Sequence, residues 1–268
     1  MHRDITFQEM RDIQLGLLDA VHDFCGRRNL RYSLGGGTLL GAIRHKGFIP
    51  WDDDVDIMMP RPDYELFIRY FKHEYIEIQT PDNDHEAYIP FAKIYDGRTV
   101  LEEFYAKNGV FIDLFPIDGL PCERMLPEYL KIQSMATTNL YRIHDYNTKA
   151  FYQYESGKPR LLVSTKYWIK HLFYPSREKC LQILKDLHAS YDFETAEFAG
   201  AICGAYAAKE HMRKSTFENY IPLQFENRTY MGIEDYDSYL KKHYGDYMQI
   251  PPKDQQKASH HFVVYWKD

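Results

Sequence analysis

The chain has 268 residues, which is long enough for an enzyme-sized hydrophobic core. Its 33 basic and 39 acidic side chains give a net charge of −6, which excludes a protein coated with positive charge for duplex DNA, so we expect no nucleic acid partner. A hydrophobic content of 44% excludes a disordered chain, and no apolar run approaches the ~18 residues that cross a bilayer. The N-terminus lacks a signal-peptide pattern, so we expect a cytoplasmic protein.

Cysteine and aromatic usage adds two expectations. The four cysteines form no Cys-x-x-Cys pair, which disfavours a zinc site and a disulfide framework. We therefore interpret Cys25, Cys122, Cys180 and Cys203 as buried thiols. The 23 tyrosines exceed what a core needs, and rings in such excess often line ligand pockets or interfaces.

The first 120 residues alternate helix and strand patterns. Apolar residues at helical spacing predict an amphipathic helix over residues 7–28. A short strand at 32–34 leads through the glycine turn Gly35-Gly36-Gly37 into a short helix. A second strand at 55–59 precedes a helix that begins near Pro62. Three more strands are predicted, at 76–79, 89–95 and 110–115.

After Pro121 the pattern changes to three long helical stretches without a strong strand. They lie at about 124–146, 160–190 and 194–211. The whole pattern predicts an α/β fold of the α+β type, with a mixed sheet core and a mainly α-helical second lobe. We divide the chain into three parts that pack as one unit: a core at 1–120, a helical lobe at 121–215, and a C-terminal segment at 216–268 that packs back on the core.

The densest chemical signal is the acidic run Asp52-Asp53-Asp54-Val55-Asp56. If Val55 faces inward on a strand, Asp54 and Asp56 project together from the opposite face, because strand side chains alternate. Adjacent carboxylates repel unless a cation lies between them, so this pair is a candidate metal site. An isolated Asp-x-Asp would more simply be an acidic turn in solvent, but the surrounding motif favours the metal site.

The glycine turn ends 17 residues before Asp54. Glycines let backbone N–H groups approach an anion and the following helix adds its positive end, so Gly36 and Gly37 predict a phosphate cradle. Thr38 would cap that helix or donate its hydroxyl to the phosphate. Glycines alone would indicate only a hinge turn. A phosphate beside carboxylates that bind a hard cation, Mg²⁺ or Mn²⁺, is instead the arrangement of phosphoryl transfer.

A third acid, Asp113, lies in an otherwise apolar strand pattern, where an unpaired carboxylate would be costly. We predict that it joins Asp54 and Asp56 both as a metal ligand and as a catalytic residue. An internal salt bridge with an arginine is the alternative. Asp118 is a weaker candidate and is expected in a turn.

Four further side chains are candidates for binding the substrate. Arg44 and Lys46 follow the glycine turn, and Lys93 lies between apolar neighbours on a predicted strand, so each could neutralise phosphate oxygens. A solvated surface cation is the alternative for each of them. His260 fits no metal-ligand spacing and is either a substrate contact or a surface or packing residue.

The run from Leu34 to Asp56, LGGGTLLGAIRHKGFIPWDDDVD, resembles the LicD/fukutin-related family of phosphocholine and related phospho-alcohol transferases. The resemblance is strong over about residues 25–120 and extends to the tail motif at 244–248. That family is a branch of the nucleotidyltransferase superfamily, so the resemblance implies a nucleotidyltransferase-like core. It assigns the superfamily's glycine turn, Asp-x-Asp pair and third strand acid to residues already singled out: Gly36 and Gly37, Asp54 and Asp56, and Asp113.

The resemblance implies transfer of phosphocholine from CDP-choline to a sugar hydroxyl of a teichoic acid precursor or lipopolysaccharide, with release of CMP. It therefore implies a lipid-linked or polymeric glycan as acceptor, and it leaves CDP-ribitol as an alternative donor. From the residues themselves, a metal-dependent glycosyltransferase also fits Asp-x-Asp but does not require the glycine turn. A catalytically inactive scaffold protein is a third interpretation. The presence of all three acids and of the glycines argues against it.

Two further predictions concern the membrane and the donor head group. Residues 158–185 carry seven basic side chains against one acidic side chain, interleaved with aromatic rings, and this predicts peripheral contact with the inner face of the membrane. A solvated basic face is the alternative. A choline head group would need aromatic rings around it. The rings nearest in sequence to the predicted catalytic strands are Trp51, Tyr88, Tyr95 and Phe111.

Overall fold

The computed structural model describes residues 2–85, 87–103, 106–149, 151, 157, 159–204, 206–256 and 263–267. It has the mixed α/β architecture that the sequence predicts, with helices packed around a mixed sheet. The α-helices of the described residues are α1 (Phe7–Arg28), α2 (Gly36–Arg44), α3 (Arg61–Tyr70), α4 (Leu126–Thr148), α5 (Arg160–His171), α6 (Arg177–His188) and α7 (Tyr236–Tyr244).

The strands form one large and two small sheets. In chain order they are β1 (Ser33–Leu34), β2 (Asp56–Pro60), β3 (Ile76–Gln79), β4 (Ala92–Asp96), β5 (Thr99–Glu103), β6 (Ala106–Asn108), β7 (Phe111–Leu120), β8 (Phe198–Gly200), β9 (Met212–Arg213), β10 (Tyr220–Phe225), β11 (Arg228–Ile233) and β12 (Val263–Trp266). The large sheet has the order β1-β2-β7-β4-β3, in which β2 and β7 are parallel and the other neighbours antiparallel. β8 pairs with the end of β7, and β9 with β8. The small sheets are β10-β11 and β12-β5-β6.

Helix α1 confirms the predicted helix over residues 7–28. It begins at a capping box, in which Thr6 accepts a hydrogen bond from the backbone of Glu9 and Glu9 reaches back to the backbone of Thr6. It ends at Asn29, which adopts the left-handed conformation common at helix ends. Its apolar face, which includes Leu18 and Val21, is fully buried against the large sheet in the main hydrophobic core.

The C-terminal segment contributes to that same core. Phe225, Tyr230, Ile233 and Tyr239 are all almost completely buried in it, together with Leu39 of α2. Strand β12 pairs with β5, so the end of the chain returns to the first half of the fold. This packing places α7 and the residues after it beside the N-terminal end of α2.

Two predicted helical stretches are wrong in detail. The stretch at 160–190 is two helices, α5 and α6, because Pro175 cannot continue a helix and Ser176 caps the next one by accepting a hydrogen bond from Lys179 N. The stretch at 194–211 contains the strand β8 and a short 3₁₀ turn at Ala207–Glu210 instead of a long helix. Residues 198–202 are buried throughout, so their sequence has no periodicity that separates a strand from a helix.

Two single residues also differ from expectation. Asp118 lies in β7 rather than in a turn, because β7 continues five residues beyond the predicted end of that strand, from 115 to Leu120. Its carboxylate is fully buried and forms a two-point ion pair with Arg61, at 2.6 and 2.9 Å. Cys122, expected to be buried, is exposed, whereas Cys25, Cys180 and Cys203 are buried as predicted. None of the described helices combines the length and the apolar character that crossing a bilayer requires.

Candidate active site

Three adjacent strands place Asp56, Asp113 and Lys93 in one row. The parallel register of β2 and β7 sets Asp56 beside Asp113, and the antiparallel register of β4 and β7 sets Lys93 on the other side of Asp113. Lys93 Nζ lies 2.9 Å from Asp113 Oδ1 and 3.4 Å from the centre of the Phe111 ring. The internal salt bridge of Asp113 is therefore with a lysine of the neighbouring strand.

The glycine turn brings the start of α2 against the acidic run. Gly36 has φ +44°, and a Cβ at this position would lie 3.0 Å from Asp56 Oδ2. A Cβ at Gly37 would lie 2.8 Å from Asp52 Oδ2. Thr38 is buried, and its hydroxyl oxygen accepts a hydrogen bond of 2.9 Å from the backbone N–H of Asp56. The two glycines thus permit the close approach of helix and carboxylates, and Thr38 fixes where β2 begins.

Two cavities meet at the acidic run. Cavity 1, of about 490 Å³, is lined by Gly36, the carboxylates of Asp54, Asp56 and Asp113, and side chains from the second half of the chain. Cavity 2, of about 370 Å³, is lined by Gly37, Arg44, Trp51, Tyr244 and Tyr247, among others. Asp54, Asp56 and Tyr206 line both cavities, so the Asp-x-Asp pair lies where the cavities join.

The acidic run is electrostatically strained. Burial, and then the charges of Asp54, Asp113 and Asp52, raise the pKa of Asp56 well above its ordinary value, against the smaller lowering effect of Lys93. Burial, and then Asp54, raise the pKa of Asp52 to about 8. Repulsion of this kind is relieved by a divalent cation, and carboxylate oxygens are the ligands that Mg²⁺ prefers.

The donor set therefore fits a hard divalent cation. Among the described residues, Asp52, Asp53 and Asp54 each place a carboxylate oxygen within 4.8 Å of the others, a set that the sequence analysis did not single out. Asp56 and Asp113 border the same cavity as Asp54. The acidic run as a whole, rather than Asp54 and Asp56 alone, is the region that can hold metal ions.

Glu210 is a site residue that the sequence analysis missed. It lies on the 3₁₀ turn after β8, is 4% exposed, and lines cavity 1. Its Oε1 accepts hydrogen bonds from Tyr239 (3.1 Å) and pairs with His243 Nε2 (2.9 Å). Its other oxygen, Oε2, is buried and has no hydrogen-bond partner among the described residues. A buried carboxylate oxygen without a hydrogen-bond donor is costly, so we single out Glu210 as a candidate for binding a cationic group.

Aromatic rings also line cavity 1. They come from β7, α4, the loop before β4 and the C-terminal half: Phe91, Phe115, Tyr141, Tyr206 and Tyr239. The four rings nearest in sequence to the predicted catalytic strands lie in other surroundings. Of these, Trp51 lines cavity 2, Phe111 packs under Lys93, Tyr88 packs on Tyr141 and His144, and Tyr95 donates to Glu77. The predicted rings therefore do not form a cage, and the rings of cavity 1 are different ones.

The remaining predicted substrate residues lie in different surroundings. Arg44 lines cavity 2, and its guanidinium donates to the backbone oxygens of Tyr247 (2.8 Å) and Gln249 (3.2 Å), which ties the tail to α2. Lys46 is exposed and is not among the residues that line either cavity. His260 lies outside the described residues.

A second cluster of possible metal ligands, Asp118, His188 and Cys203, lies next to cavity 1, whose lining includes Cys203. Arg61 already neutralises Asp118, and His188 Nε2 lies 2.7 Å from Gln133 Oε1. Burial raises the pKa of Cys203 to about 12, so its thiol stays protonated at neutral pH. We interpret this cluster as a group of polar contacts that stabilises the fold.

Comparison with known proteins agrees with this geometry. Residues 29–125, which include the glycine turn, the acidic run and Asp113, match the model of the LicD/FKTN/FKRP nucleotidyltransferase domain. The chain is 31% identical, over 96% of its length and 97% of the other protein, to the lipopolysaccharide cholinephosphotransferase LicD of Haemophilus influenzae. The chain belongs to the LicD family. Uncharacterized proteins of Rickettsia prowazekii and Rickettsia typhi are 45% identical over 47 residues, 18% of this chain.

Proposed function

We propose that the protein transfers phosphocholine from CDP-choline to a hydroxyl group of a lipopolysaccharide-type glycan and releases CMP. The observation that carries this proposal is the position of Asp54 and Asp56 at the junction of two cavities of different chemistry. A phosphorus atom at that junction has room on one side for the leaving nucleotide and on the other for the head group and the acceptor. The near full-length similarity to a lipopolysaccharide cholinephosphotransferase supports the choline donor and the glycan acceptor.

The nucleotide half of the donor fits cavity 2. Trp51, Tyr244 and Tyr247 offer ring faces on which a base stacks, and Gly37 opens the N-terminal end of α2 into the same space. The unpaired N–H groups and the dipole of a helix N-terminus favour a phosphate there. The first residues of α2 would therefore hold the phosphate that leaves with CMP.

The choline head group fits cavity 1. A quaternary ammonium group donates no conventional hydrogen bond, so a site that selects it uses ring faces and a carboxylate. Tyr206, Tyr239 and Phe115 supply rings, and Glu210 Oε2 supplies the unpaired negative charge. The bonds from Tyr239 and His243 hold the Glu210 side chain in place, so this charge is oriented before the donor binds.

Asp54, Asp56 and Asp113 would hold Mg²⁺ or Mn²⁺, with Asp52 and Asp53 close to Asp54. When bound, the ion would offset the negative charge of the diphosphate and of the carboxylates. The acceptor hydroxyl oxygen attacks the phosphorus that bears choline, and the bond from that phosphorus to the CMP oxygen breaks. Asp113, which lines cavity 1, takes the proton of the acceptor hydroxyl.

The test is a donor panel with the purified protein, Mg²⁺ and a lipopolysaccharide acceptor. We expect CMP release from CDP-choline, with phosphorus from a labelled donor appearing in the glycan. Transfer from CDP-ribitol alone would overturn the choline assignment, and transfer of a sugar without phosphorus would indicate a glycosyltransferase. A teichoic acid precursor serves as the second acceptor arm, and activity with it alone would overturn the lipopolysaccharide assignment.

The head-group site has its own test by calorimetry. Glu210→Gln should weaken binding of CDP-choline at least tenfold, about 1.4 kcal/mol, because the amide is neutral. Binding of CDP-ribitol, which carries no cation, should change little in the same variant. An equal loss for both donors would show that Glu210 only supports the fold around cavity 1.

A further inference from the structure

Helix α5 presents an apolar face to solvent. Six of the sixteen large hydrophobic side chains that are exposed among the described residues lie within 13 residues of the chain: Leu161, Leu162, Trp168, Ile169, Leu172 and Phe173. Leu161 is 78% exposed and Phe173 82%. A contiguous apolar surface of this kind marks a contact with another surface, whereas scattered single apolar residues are normal and need no explanation.

Four of the six side chains lie on one side of α5, and Leu172 and Phe173 follow in the turn directly after it. Leu161 and Trp168 are seven residues apart, and so are Leu162 and Ile169, which makes two neighbouring rows. The opposite side, with Val163, Tyr167 and His171, packs inward: Tyr167 stacks on Phe151 at 4.4 Å and His171 on Tyr146 at 3.9 Å. Helix α5 therefore has an inner side that packs on aromatic rings and an apolar outer side that faces solvent.

Positive charge borders the outer side. Lys166 and Lys170, one helical turn apart, are exposed along one edge, each 5.4 Å from the Tyr167 ring, and Arg160 is exposed at the start of the helix. The sequence from Gly157 to Arg177 contains no Asp or Glu, although the chain as a whole has a net charge of −6.

Two basic residues of the wider stretch 158–185 contact the loop before β4. Arg177 donates to the backbone oxygens of Pro81, Asp84 and Ala87, and the exposed Lys185 pairs with the exposed Asp82. These two residues therefore contribute less to a free basic surface than the lysines of α5.

We infer that the outer side of α5, with its lysine edge, docks on the surface of a bilayer that contains anionic phospholipid. An apolar face of aliphatic and aromatic side chains with Lys and Arg at its border is the chemistry of helices that lie in the membrane interface, where the apolar side chains enter the acyl boundary and the cations meet anionic head groups. A second copy of the chain is the weaker occupant. It would bring the lysine edges of two copies together, where their like charges repel.

Docking would also set the position of the active site. Helix α4 carries Thr137 and Tyr141 in the lining of cavity 1 and Tyr146 in contact with α5. Five residues of helix separate Tyr141 from Tyr146, a rise of about 7.5 Å, so cavity 1 would face a lipid-linked acceptor from close to the bilayer. This consequence, unlike docking itself, rests on the proposed function.

The experiment is flotation of the full-length protein with vesicles of phosphatidylcholine, with and without phosphatidylglycerol. We expect binding to the anionic vesicles that weakens with salt. The triple variant Leu162→Ser, Trp168→Ser, Phe173→Ser should bind at least tenfold less. The matched control Leu66→Ser, Met135→Ser, which removes exposed apolar side chains from α3 and α4, should bind as the wild type does. The pair Lys166→Glu, Lys170→Glu should lose the dependence on phosphatidylglycerol.

Three results would overturn the inference. They are no binding of the wild type to anionic vesicles, equal binding of the wild type and the triple variant, or a wild-type dimer in solution that the triple variant converts to a monomer without any vesicle binding. Circular dichroism and thermal unfolding check that the variants are folded. Flotation uses no substrate, and Asp56→Asn should float as the wild type does, so failure of docking and failure of the proposed function are separate outcomes.

Discussion

Replacement of Gly36 by alanine tests the close approach of α2 to the acidic run. The Gly36 backbone has φ +44°, which costs a residue with a Cβ about 1 kcal/mol. The new Cβ would lie 3.0 Å from Asp56 Oδ2, so the carboxylate must move by a few tenths of an ångström. We expect a loss of about 1–2 kcal/mol in the free energy of unfolding from these two effects together. Since small misplacements in a reacting site cost up to about a hundredfold, we expect turnover to fall about tenfold to a hundredfold.

The assay pairs urea denaturation with CMP release at saturating Mg²⁺. Gly16→Ala is the matched control, because Gly16 is exposed in the middle of α1 and a Cβ there meets nothing within 4 Å. That variant should gain about 0.5–1 kcal/mol from helix propensity and keep wild-type turnover. If Gly36→Ala were as stable and as active as Gly16→Ala, the close approach of helix and carboxylate would have no catalytic role.

Three further predictions concern charged groups. Asp56→Asn should leave less than about a tenth of the transfer activity, because an amide cannot supply the charge that a metal ligand needs. Urea denaturation of this variant should show no loss of stability, and a higher residual turnover would contradict the role of Asp56 as a metal ligand. Asp118→Asn should cost about 3 kcal/mol, because Arg61 loses its buried partner and keeps only the exposed Glu65. The exposed-pair control Asp82→Asn should cost less than about 0.5 kcal/mol; equal costs in urea would contradict this. Burial lowers the pKa of His188 below the 6.5 of the unfolded chain, so the unfolded state takes up the proton first and stability falls as the pH drops below 6.5. His188→Gln should show a shallower fall between about pH 8 and pH 5, and identical slopes would refute this assignment.

The helices and strands of the first half of the chain could be predicted from short-range sequence patterns. The capping box and apolar spacing of α1, the glycine turn before α2 and the strand that begins at Asp56 all depend on residues close in sequence. The second half contained buried segments whose apolar runs have no period, and there the prediction of a helix at 194–211 was wrong. Pairing of β8 with the end of β7 decides that segment, and such pairing is a long-range property.

In the candidate active site, too, some residues could be predicted from the sequence and others could not. The sequence alone predicted that Asp54, Asp56, Asp113 and the glycines would act together, because they lie at spacings that strands and turns bring to one site. Only the tertiary structure placed Glu210 in cavity 1, since its approach depends on the packing of β8 against β7. No local motif contains that information.

The surface of α5 shows most clearly what the sequence determines and what only the tertiary structure decides. Its sequence already determined that lysines and apolar side chains alternate at helical spacing without an acid. Which apolar side chains face the protein was decided by the stacking of Tyr167 and His171 on Phe151 and Tyr146. Periodicity defines the faces of a helix, but only packing against a neighbour determines which face is buried and which remains exposed to solvent.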